Sequence, residues 1–238
     1  MYVSKRYIKV SEHSVYLPAV RITAPSVVDL GANEGAFSIW AADQLRASVF
    51  AIEALPELAE RLSADPRICV LHAAAAAESG TQQIYRATGR CASASLNPRD
   101  SQNAVTVLSV TLEDICNKFG LSEIDLLKID IEGSELEVLA QCSVGCLKSI
   151  TQITCEFHDF LDISHRPRIR SICRRLIECG FFCVPMATTT WGDTVFLNKA
   201  KLAHPRLAEA EMHGLKTLYG VQRAIRRAGN FLSKRFRK

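Results

Sequence analysis

The sequence predicts an α/β fold in which a mostly parallel sheet carries helices on both faces. Short β-rich runs, beginning with SVVDLG and SVFAIE, alternate with helical stretches along most of the chain. Most of these strands follow helices, as a doubly wound sheet requires. The last two β-rich runs, FFCVPM and TVFLN, are separated only by a turn-like segment that contains TWGD. Because no helix fits between them, we expect a β-hairpin whose final strand is antiparallel.

The first half of the chain supplies three strands and two helices in this alternation. The run ending SVVDLG is the first strand, and GAFSIWAADQLRA predicts the first helix. The second strand covers 48–53, and a helix is expected from about Pro56, whose ring suits a first helical turn. RICVLH is the third strand. Residues 73–110 are less regular and predict a hairpin or loop excursion.

The second half resumes the alternation. From Thr111, a helix is predicted that has a threonine cap and acids in its first turn and that ends at Gly120. DLLKIDIEG is the next strand, followed by a helix that begins near Ser134. ITQITCEF is a further strand, and a helix from about Pro167 to Cys179 precedes the terminal hairpin.

Composition places the chain among ordinary globular proteins. Its 238 residues are 48% hydrophobic and 23% charged, which suits one domain with a short appendage. No apolar run approaches the roughly 20 residues of a membrane-spanning helix, and the first residues lack the apolar segment of a secretion signal. We therefore expect a cytoplasmic protein. Its expected parts are an N-terminal segment (1–25), a central domain (26–200) and a basic helical tail (201–238).

Nine cysteines lie mostly inside apolar runs, and none forms the C-x-x-C pair typical of zinc or redox sites. Buried, reduced thiols are therefore expected. Cys142 with Cys146, and Cys179 with Cys183, are spaced to lie one helical turn apart or on neighbouring elements. Neither pair brings partner histidines at ligand spacing, so a metal or disulfide role is the less favoured interpretation.

A glycine-containing turn between the first strand and the first helix predicts a ligand site. The segment VVDLGANEG places Asp29, Gly31, Asn33 and Gly35 there. Gly31 allows a tight turn and close approach to a ligand, and the helix start offers backbone N–H groups to a carboxylate or phosphate. Asn33 replaces the second glycine of the dinucleotide pattern, which argues against NAD. A simple glycine turn is the alternative.

Glu53 ends the second strand about twenty residues after this loop, where an acid in this topology can accept hydrogen bonds from two ribose hydroxyls. A solvated surface glutamate is the alternative. The acid before the loop, the loop without a dinucleotide pattern and the ribose-binding acid together suit a nucleoside with an amino-acid tail. S-adenosyl-L-methionine is such a ligand.

Five segments in order, VVDLGANEGAFS, FAIEALPELAERL, TLEDI, LLKIDIEGSELEVL and ITCEFH, resemble the FkbM family of S-adenosylmethionine-dependent methyltransferases. The resemblance covers roughly 27–159. It implies a class I methyltransferase fold, with a seven-stranded sheet that is parallel except for its last strand and with the cofactor over the carboxyl ends of the first strands. Family members typically methylate hydroxyl groups of sugars, polyketides or related natural products, which implies an O-methyltransferase by analogy.

Two pairs of polar residues at strand ends are the catalytic candidates. In KIDIEG, Asp130 and Glu132 alternate with isoleucines and are expected to share one face of a strand. We assign Asp130 to the cofactor's ammonium group or to catalysis, and Glu132 to the acceptor; a helix-capping role for Glu132 is the alternative. In CEFHDF, Glu156 and His158 again share a face, and His158 is the preferred general base because histidine titrates near neutral pH.

In this interpretation Glu156 orients the imidazole or holds acceptor hydroxyls, whereas a surface histidine is the alternative reading of His158. We expect no metal, although the four strand-end residues together with Asp159 have oxygen and imidazole groups that suit magnesium or manganese. Ser95, in the loop excursion, is a further candidate for contact with the acceptor.

The C-terminal tail is basic and amphipathic. Residues 214–238 contain eight lysines and arginines and no acid, so the rest of the chain is net negative. An apolar stripe recurs at three- and four-residue intervals: Leu218, Val221, Ile225, Ala228, Leu232 and Phe236. Docking on the protein body is the favoured interpretation, followed by binding to an anionic membrane surface near a lipid-linked acceptor, or to an acidic protein partner. Nucleic acid is disfavoured because no recognised binding module accompanies the charge.

Two rival functions remain at this stage. One is a non-catalytic binding module that keeps the fold and uses its tail to hold another biosynthetic enzyme. The other is methylation of nitrogen, which would need a substrate amine rather than a strong base.

Overall fold

The computed structural model describes the backbone of residues 6–86, 94–95 and 104–235, and the side chains of 6–85, 104–218 and 220–221. The strands are β1 (Tyr7–Val10), β2 (His13–Tyr16), β3 (Ser26–Leu30), β4 (Ser48–Glu53), β5 (Ile68–His72), β6 (Ala74–Ala75), β7 (Gly80–Arg86), β8 (Ala94–Ser95), β9 (Ala104–Val110), β10 (Ile124–Ile129), β11 (Ile150–Cys155), β12 (Phe181–Pro185) and β13 (Thr194–Asn198). The helices are α1 (Ala36–Trp40, continued by a π-helical turn over Ala41–Leu45), α2 (Pro56–Leu62), α3 (Leu112–Phe119), α4 (Glu135–Gln141), α5 (Val144–Ser149), α6 (Arg166–Glu178) and α7 (Pro205–Arg235).

The main sheet has seven strands in the order β12-β13-β11-β10-β3-β4-β5. Strands β3, β4, β5, β10 and β11 pair in parallel, whereas β13 is antiparallel to both β11 and β12. The expectation of a class I methyltransferase fold with an antiparallel last strand is confirmed. The chain order reverses between β3 and β10, so the carboxyl ends of these two strands form the topological switch point, where ligands bind in folds of this kind.

Both faces of the sheet are buried, as a parallel sheet requires. Successive residues of β3 point to opposite faces, so that Val27 packs with Phe37 of α1 while Val28 packs in the cluster that contains α3, α4 and α6. Within α3, Thr111 accepts a hydrogen bond from the Asp114 backbone N–H in a capping box, and Gly120 ends the helix in the left-handed region. The predicted helix boundaries follow from these local signals.

Within the irregular stretch 73–110, the strands β6, β7, β8 and β9 form a second sheet in the order β6-β9-β7-β8. Strands β1 and β2 of the N-terminal segment form an antiparallel hairpin. Tyr16, at the end of β2, donates its backbone N–H to the side-chain oxygen of Gln152 in β11. This hairpin was not expected from the sequence. It brings a histidine to the switch point, as described below.

The described side chains of helix α7 that are buried lie in its first turns. Ala208, Met212 and Leu215 are buried with apolar residues of the hairpin and of β12 and β13. Leu218 and Val221, which begin the apolar stripe, are 42% and 52% exposed, so the favoured docking of that stripe on the body is not seen at these two positions. The remaining stripe side chains lie outside the described part of the chain. Among the described residues, no helix combines the length and apolarity needed to cross a membrane.

The fold requires glycine at position 31, because a Cβ atom does not fit there. The φ of Gly31 is +75°, and a Cβ atom there would lie 1.9 Å from the backbone oxygen of Asp130. We expect Gly31→Ala to lower the free energy of unfolding by about 2 kcal/mol or more, because the left-handed conformation costs alanine about 1–2 kcal/mol and the clash adds to that. Urea denaturation followed by circular dichroism measures it.

The matched control is Gly145→Ala in α5, where the nearest atom to an added Cβ lies at 3.9 Å. Because alanine is the better helix former, this change should be neutral or stabilising by up to about 1 kcal/mol. Equal stability of both variants would contradict the proposed packing of the Gly31 turn.

Candidate active site

The candidate site lies where the carboxyl ends of β3, β4, β10 and β11 meet. Backbone hydrogen bonds continue past the strand ends: Gly31 N–H donates to Ile52 O at 2.9 Å, and Asp130 N–H donates to Leu30 O at 3.1 Å. Between β10 and β11, the Glu156 N–H donates to the carbonyl of Ile129, the last residue of β10, at 3.0 Å. These bonds fix the loops that carry the polar side chains.

The glycine turn has a left-handed backbone at Gly31, Asn33 and Gly35, with φ of 75°, 52° and 84°. The close approach that Gly31 permits is to the Asp130 carbonyl, within the protein. A Cβ at Gly35 would lie 2.4 Å from a side-chain carbon of Leu62, so this position also needs glycine for packing. The prediction that these residues approach a ligand remains a prediction, because the packing alone accounts for both glycines.

Asp29 lies beneath the turn. It is fully buried, accepts a hydrogen bond from Ser38 Oγ at 2.7 Å and lies 3.1 Å from Lys128 Nζ. Lys128 Nζ also donates to the carbonyl of Gly31 at 2.5 Å. Burial opposes the charge of this lysine, but the carboxylates of Asp29 and Asp130 outweigh it and raise the pKa of Lys128. This geometry favours a supporting role for Asp29 below the turn, and its predicted contact with a ligand stays a prediction.

Sequence reasoning did not identify Lys128 as a residue of the site. It occupies an otherwise apolar central strand, IDLLKI, and is 4% exposed. A charged lysine in such a strand needs a carboxylate partner, since burying an unpaired charge has a large free-energy cost. That signal was present in KIDIEG, and Asp29 and Asp130 are the partners it required.

Glu53 lies at the end of β4 and is 4% exposed. Its two carboxylate oxygens accept hydrogen bonds from the backbone N–H groups of Asn33, at 2.7 Å, and Leu55, at 2.8 Å. Burial raises the pKa of Glu53 despite these bonds. It is therefore not a solvated surface acid, and each oxygen keeps a second lone pair for another donor.

The expectation that Asp130 and Glu132 share one face of a strand is wrong. Strand β10 ends at Ile129, and Glu132 has a left-handed backbone with φ 52°, so both acids lie in the loop that follows. The loop nevertheless brings them together: His158 Nε2 lies 3.8 Å from Asp130 Oδ1 and 3.4 Å from Glu132 Oε2. Glu132 makes no capping contact with α4, whose N-cap Ser134 lacks a side-chain cap.

The same correction applies to Glu156 and His158, because β11 ends at Cys155 and both residues follow the strand. His158 lies within reach of three carboxylates, including Glu135, whose Oε1 is 3.1 Å from Nδ1. Burial by itself would lower the pKa of His158, but the contact with Glu135 and the charges of Glu132 and Asp130 outweigh it and raise the pKa to about 9. A pKa in this range favours the imidazolium form at neutral pH, whereas the general-base assignment assumed a histidine that titrates near neutrality; that assignment stays a prediction.

Glu135 was also missed in the sequence, where it appeared only as an early helical residue. It is 2% exposed, and its carboxylate accepts hydrogen bonds from the backbone N–H groups of Ile131 and Gly133. A carboxylate held by two backbone donors is strongly oriented. It fixes both the loop after β10 and the position of His158.

The pKa of Glu156 is also raised, but it lies closer to neutral pH than the pKa of His158. Burial, followed by the negative charge of Asp130, raises the pKa of Glu156 to about 7. One of its oxygens lies within 4.8 Å of both an Asp130 carboxylate oxygen and a His13 ring nitrogen. A carboxylate that titrates near neutral pH is suited to accept a proton.

His13 is the third residue that sequence reasoning missed. The hairpin is held by Asp193, which accepts hydrogen bonds from the Ser14 backbone N–H at 3.0 Å and from Ser14 Oγ at 2.7 Å. The adjacent His13 is 2% exposed, and its Nε2 lies 3.4 Å from Asp130 Oδ2, in a hydrogen bond to the carboxylate. Nothing in the sequence pairs residue 13 with residue 130, since that contact depends on tertiary structure.

Two other candidates lie elsewhere. Asp159 is fully buried and is engaged by Arg166 Nε at 2.8 Å and by the Trp191 backbone N–H at 2.7 Å, so it does not join the carboxylate cluster. Ser95 belongs to β8, but its side chain lies outside the described residues, and its predicted contact with an acceptor stays a prediction.

Comparison with known proteins identifies the group to which this site belongs. A family model described as the Methyltransferase FkbM domain matches residues 29–183, which includes the glycine turn, the loops after β10 and β11, and most of β12. The chain belongs to the FkbM methyltransferase family. The resemblance carried by the sequence motifs is therefore confirmed, and the FkbM domain extends beyond them toward the terminal hairpin.

The similar individual proteins are more distant. Over 70 residues the FkbM chain is 34% identical to the AMB antimetabolite synthetase AmbE of Pseudomonas aeruginosa, a match covering 29% of this chain and 3% of that protein. Among solved structures, a Methanococcus jannaschii fibrillarin pre-rRNA processing protein matches with 14% identity and a TM-score of 0.44, covering 83% of this chain and 84% of that one. The Aeropyrum pernix fibrillarin with natively bound S-adenosyl-L-methionine has 13% identity and a TM-score of 0.41, covering 76% and 68%. The fold assignment rests on the sheet topology rather than on these weak likenesses.

The role of Glu135 can be tested through the titration of His158. Glu135→Gln removes the negative charge nearest to Nδ1 and keeps an amide oxygen for the loop N–H groups, so the pKa of His158 should fall from about 9 by roughly one unit or more. Histidine ring resonances followed by NMR across pH measure this.

Glu137→Gln is the control on the same helix, since Glu137 is exposed and pairs with Arg168 at 2.6 Å. It should leave the His158 titration unchanged. A His158 pKa that is near its ordinary value in the unmodified protein, or that is unaffected by Glu135→Gln, would contradict the assigned imidazolium.

Proposed function

We propose that this chain is an S-adenosylmethionine-dependent O-methyltransferase that methylates a hydroxyl group of a natural-product or sugar acceptor. The observation that carries the proposal is the concentration of carboxylates at the switch point of an FkbM domain. Glu53, Asp130, Glu132 and Glu156 all lie at the carboxyl ends of the central strands, where Lys128, His13 and His158 are the neighbouring basic groups among the described residues. A small polar cation is the ligand that such an edge favours.

S-adenosylmethionine fits this donor set because it carries a sulfonium and an ammonium group beside its ribose hydroxyls. Glu53 would accept from the ribose hydroxyls through its remaining lone pairs, as its place at the end of β4 supports. Asp130, whose side chain is 28% exposed, would face the ammonium group. The turn from Gly31 to Gly35 would lie against the amino-acid part of the ligand.

When bound, the cofactor supplies an electrophilic methyl group, and the protein must position a hydroxyl and remove its proton. We assign the proton acceptor to Glu156 in place of His158. Its carboxylate has a pKa of about 7 and is partly ionised at neutral pH, whereas the His158 imidazolium has no free lone pair to accept a proton. His158 would instead hold Asp130, Glu132 and Glu135 in place and neutralise part of their charge.

The segment after His158 supports an acceptor with an apolar part. Phe160, whose ring lies 5.3 Å from the His158 ring, is 49% exposed, and Leu161 and Ile163 are 73% and 69% exposed. This apolar lip (Phe160, Leu161 and Ile163) borders the residues proposed to act on the hydroxyl. An acceptor screen should therefore begin with glycosides that carry an apolar aglycone and compare them with the free sugars.

The alternatives from the sequence remain distinguishable. A non-catalytic binding module would lack cofactor affinity, and N-methylation would appear in a screen that includes amines. Recruitment to an anionic membrane surface or to an acidic protein through residues 214–238 stays a proposal, supported by the exposure of Leu218 and Val221 on α7.

Cofactor binding is the first prediction of this proposal. In isothermal titration calorimetry, S-adenosylmethionine and its demethylated product should bind, and NAD should not. Glu53→Gln should weaken the binding of both nucleosides by about 10-fold or more, because the side-chain amide replaces one of the two accepting oxygens with an NH2 donor. The exposed Glu60 on α2 provides the control Glu60→Gln, which should bind normally.

A melting curve for each variant separates loss of binding from loss of folding, since Glu53 also accepts from two backbone groups. Absence of binding to both nucleosides by the folded protein would overturn the proposal and favour the non-catalytic module.

The pH dependence of turnover is the second prediction. Activity should rise as pH increases through about 7, where Glu156 loses its proton, and fall above about 9, where His158 loses its positive charge. Product formation measured from pH 5 to pH 10 with an acceptor from the screen tests this profile.

Glu156→Gln should reduce kcat by about 10²- to 10⁴-fold, the usual contribution of a general base, while cofactor affinity changes little. His158→Ala should abolish the alkaline limb of the profile and lower turnover with the cofactor still bound. The assignment to Glu156 would be wrong if Glu156→Gln retained full turnover while the rise in activity through about pH 7 disappeared in His158→Ala. The base would then be His158.

A further inference from the structure

A second cluster of ligand-type side chains lies away from the candidate active site. Helix α4 starts beside His158 at the carboxyl ends of the strands and leads back toward the start of β11, so its C-cap residue Cys142 lies toward the amino-end edge of the sheet. There the structure gathers Cys116 from α3, Cys142, Cys146 from α5, and Glu113 from α3.

These four residues, the thiol cluster, are joined by contacts that centre on Cys146. One donor atom each from Glu113, Cys142 and Cys146 lies within 4.8 Å of the other two. The thiol of Cys146 contacts the thiols of both Cys116 and Cys142, and the Glu113 carboxylate contacts the Cys142 thiol. Glu113, Cys142 and Cys146 therefore form a compact group of three ligand-type side chains, and Cys116 adjoins it through Cys146.

Glu113 is already oriented for such a role. Its Oε1 accepts a hydrogen bond from the Ser143 backbone N–H at 2.7 Å, and its carboxylate also contacts the Cys142 thiol. A hydrogen bond of this kind is typical of metal ligands, because it fixes the carboxylate direction. One carboxylate oxygen and the three sulfurs would provide four ligand atoms.

We propose that the thiol cluster is a structural zinc site with three thiolate ligands and one carboxylate ligand. Tetrahedral zinc with sulfur at about 2.3 Å places its ligand atoms roughly 3.8 Å apart, which is close to the separations within 4.8 Å found among Glu113, Cys142 and Cys146. Thiolates select soft or borderline ions, so magnesium and calcium are poor candidates. The proposal is independent of the methyltransferase assignment.

Zinc binds thiolates rather than thiols, so its binding to the thiol cluster would displace the thiol protons. Its affinity should therefore increase with pH, and binding should release protons.

The test uses the full chain, reduced and freed of metal with a chelator. Zinc added in competition with a chromophoric chelator should bind one equivalent per chain, and cobalt(II) should give the intense visible absorption of tetrahedral coordination together with thiolate-to-cobalt charge transfer. Metal loading should raise the melting temperature, because the site joins α3 to the α4–α5 segment.

Cys146→Ser should lower zinc affinity by about 100-fold or more, and Glu113→Gln by about 10-fold or more. The control is Cys183→Ser, which alters a thiol that lies 3.7 Å from Cys173 in another part of the molecule and should leave zinc binding unchanged. Proteolytic mapping of cysteine alkylation should show Cys116, Cys142 and Cys146 protected by zinc.

Three outcomes would overturn the proposal: no stoichiometric binding by the folded chain, equal affinity in Cys146→Ser, or cobalt spectra without thiolate charge transfer. Formation of a disulfide between Cys116 and Cys146 on mild oxidation, with no zinc binding by the reduced chain, would assign the cluster to redox chemistry instead.

Discussion

The organisation of the candidate active site depends on Asp130, which joins the two halves of the sheet at the switch point. Its backbone carbonyl lies where a Gly31 side chain would be, and its N–H group bonds to Leu30 O at 3.1 Å. Its carboxylate faces His13 at 3.4 Å, Lys128 at 3.8 Å and His158 at 3.8 Å. One residue thus connects the glycine turn, the N-terminal hairpin and the loop after β11. Burial opposes its ionisation, but His13 and the positive charge of Lys128 lower its pKa.

The charges around Asp130 separate into two regions with different tasks. Beneath the turn, Lys128 is balanced by Asp29 and bonds to the Gly31 carbonyl, which makes this region a buried support. Toward the opening, carboxylates outnumber cations. Burial and the charge of Asp130 raise the pKa of Glu156, whereas the contact with Glu135 and the charges of Glu132 and Asp130 raise the pKa of His158 against the effect of its burial. A partly ionised acid beside a positively charged imidazole follows from these directions. An environment that shifts both values in this way is typical of sites that move protons.

The sheet was predictable from the sequence because its signals are local. Alternating β-rich and helical runs gave the parallel core, the short link before β13 gave its antiparallel direction, and Thr111 and Gly120 marked the ends of α3. The strand ends were predicted too far along the chain. KIDIEG has the alternation of a strand, but the left-handed backbone at Glu132 ends it, and local periodicity does not reveal that turn.

The site was predictable only where its residues follow strands of the sheet. Asp130, Glu132, Glu156 and His158 were expected at one edge, and the structure brings them together there. His13 was not expected, because it reaches Asp130 through a hairpin held by Asp193, a contact between residues far apart in sequence. The protonation of His158 was not predictable either, since it depends on Glu135, which the sequence presents as one of several acids in a helix.

Helix α4 links the two clusters of the molecule. Its first residue, Glu135, orients His158 and the loop after β10, and its C-cap, Cys142, belongs to the thiol cluster. The helix has seven residues and is therefore about 10 Å long, too short to bend appreciably between its ends. Its apolar face is buried in the main core through Leu136, Val138 and Leu139, which prevents it from sliding without repacking the sheet. The position of Glu135 relative to the His158 imidazole therefore depends on how the whole helix is anchored. The far end of the helix is held by Cys142 and by the hydrogen bond from the Ser143 N–H to Glu113.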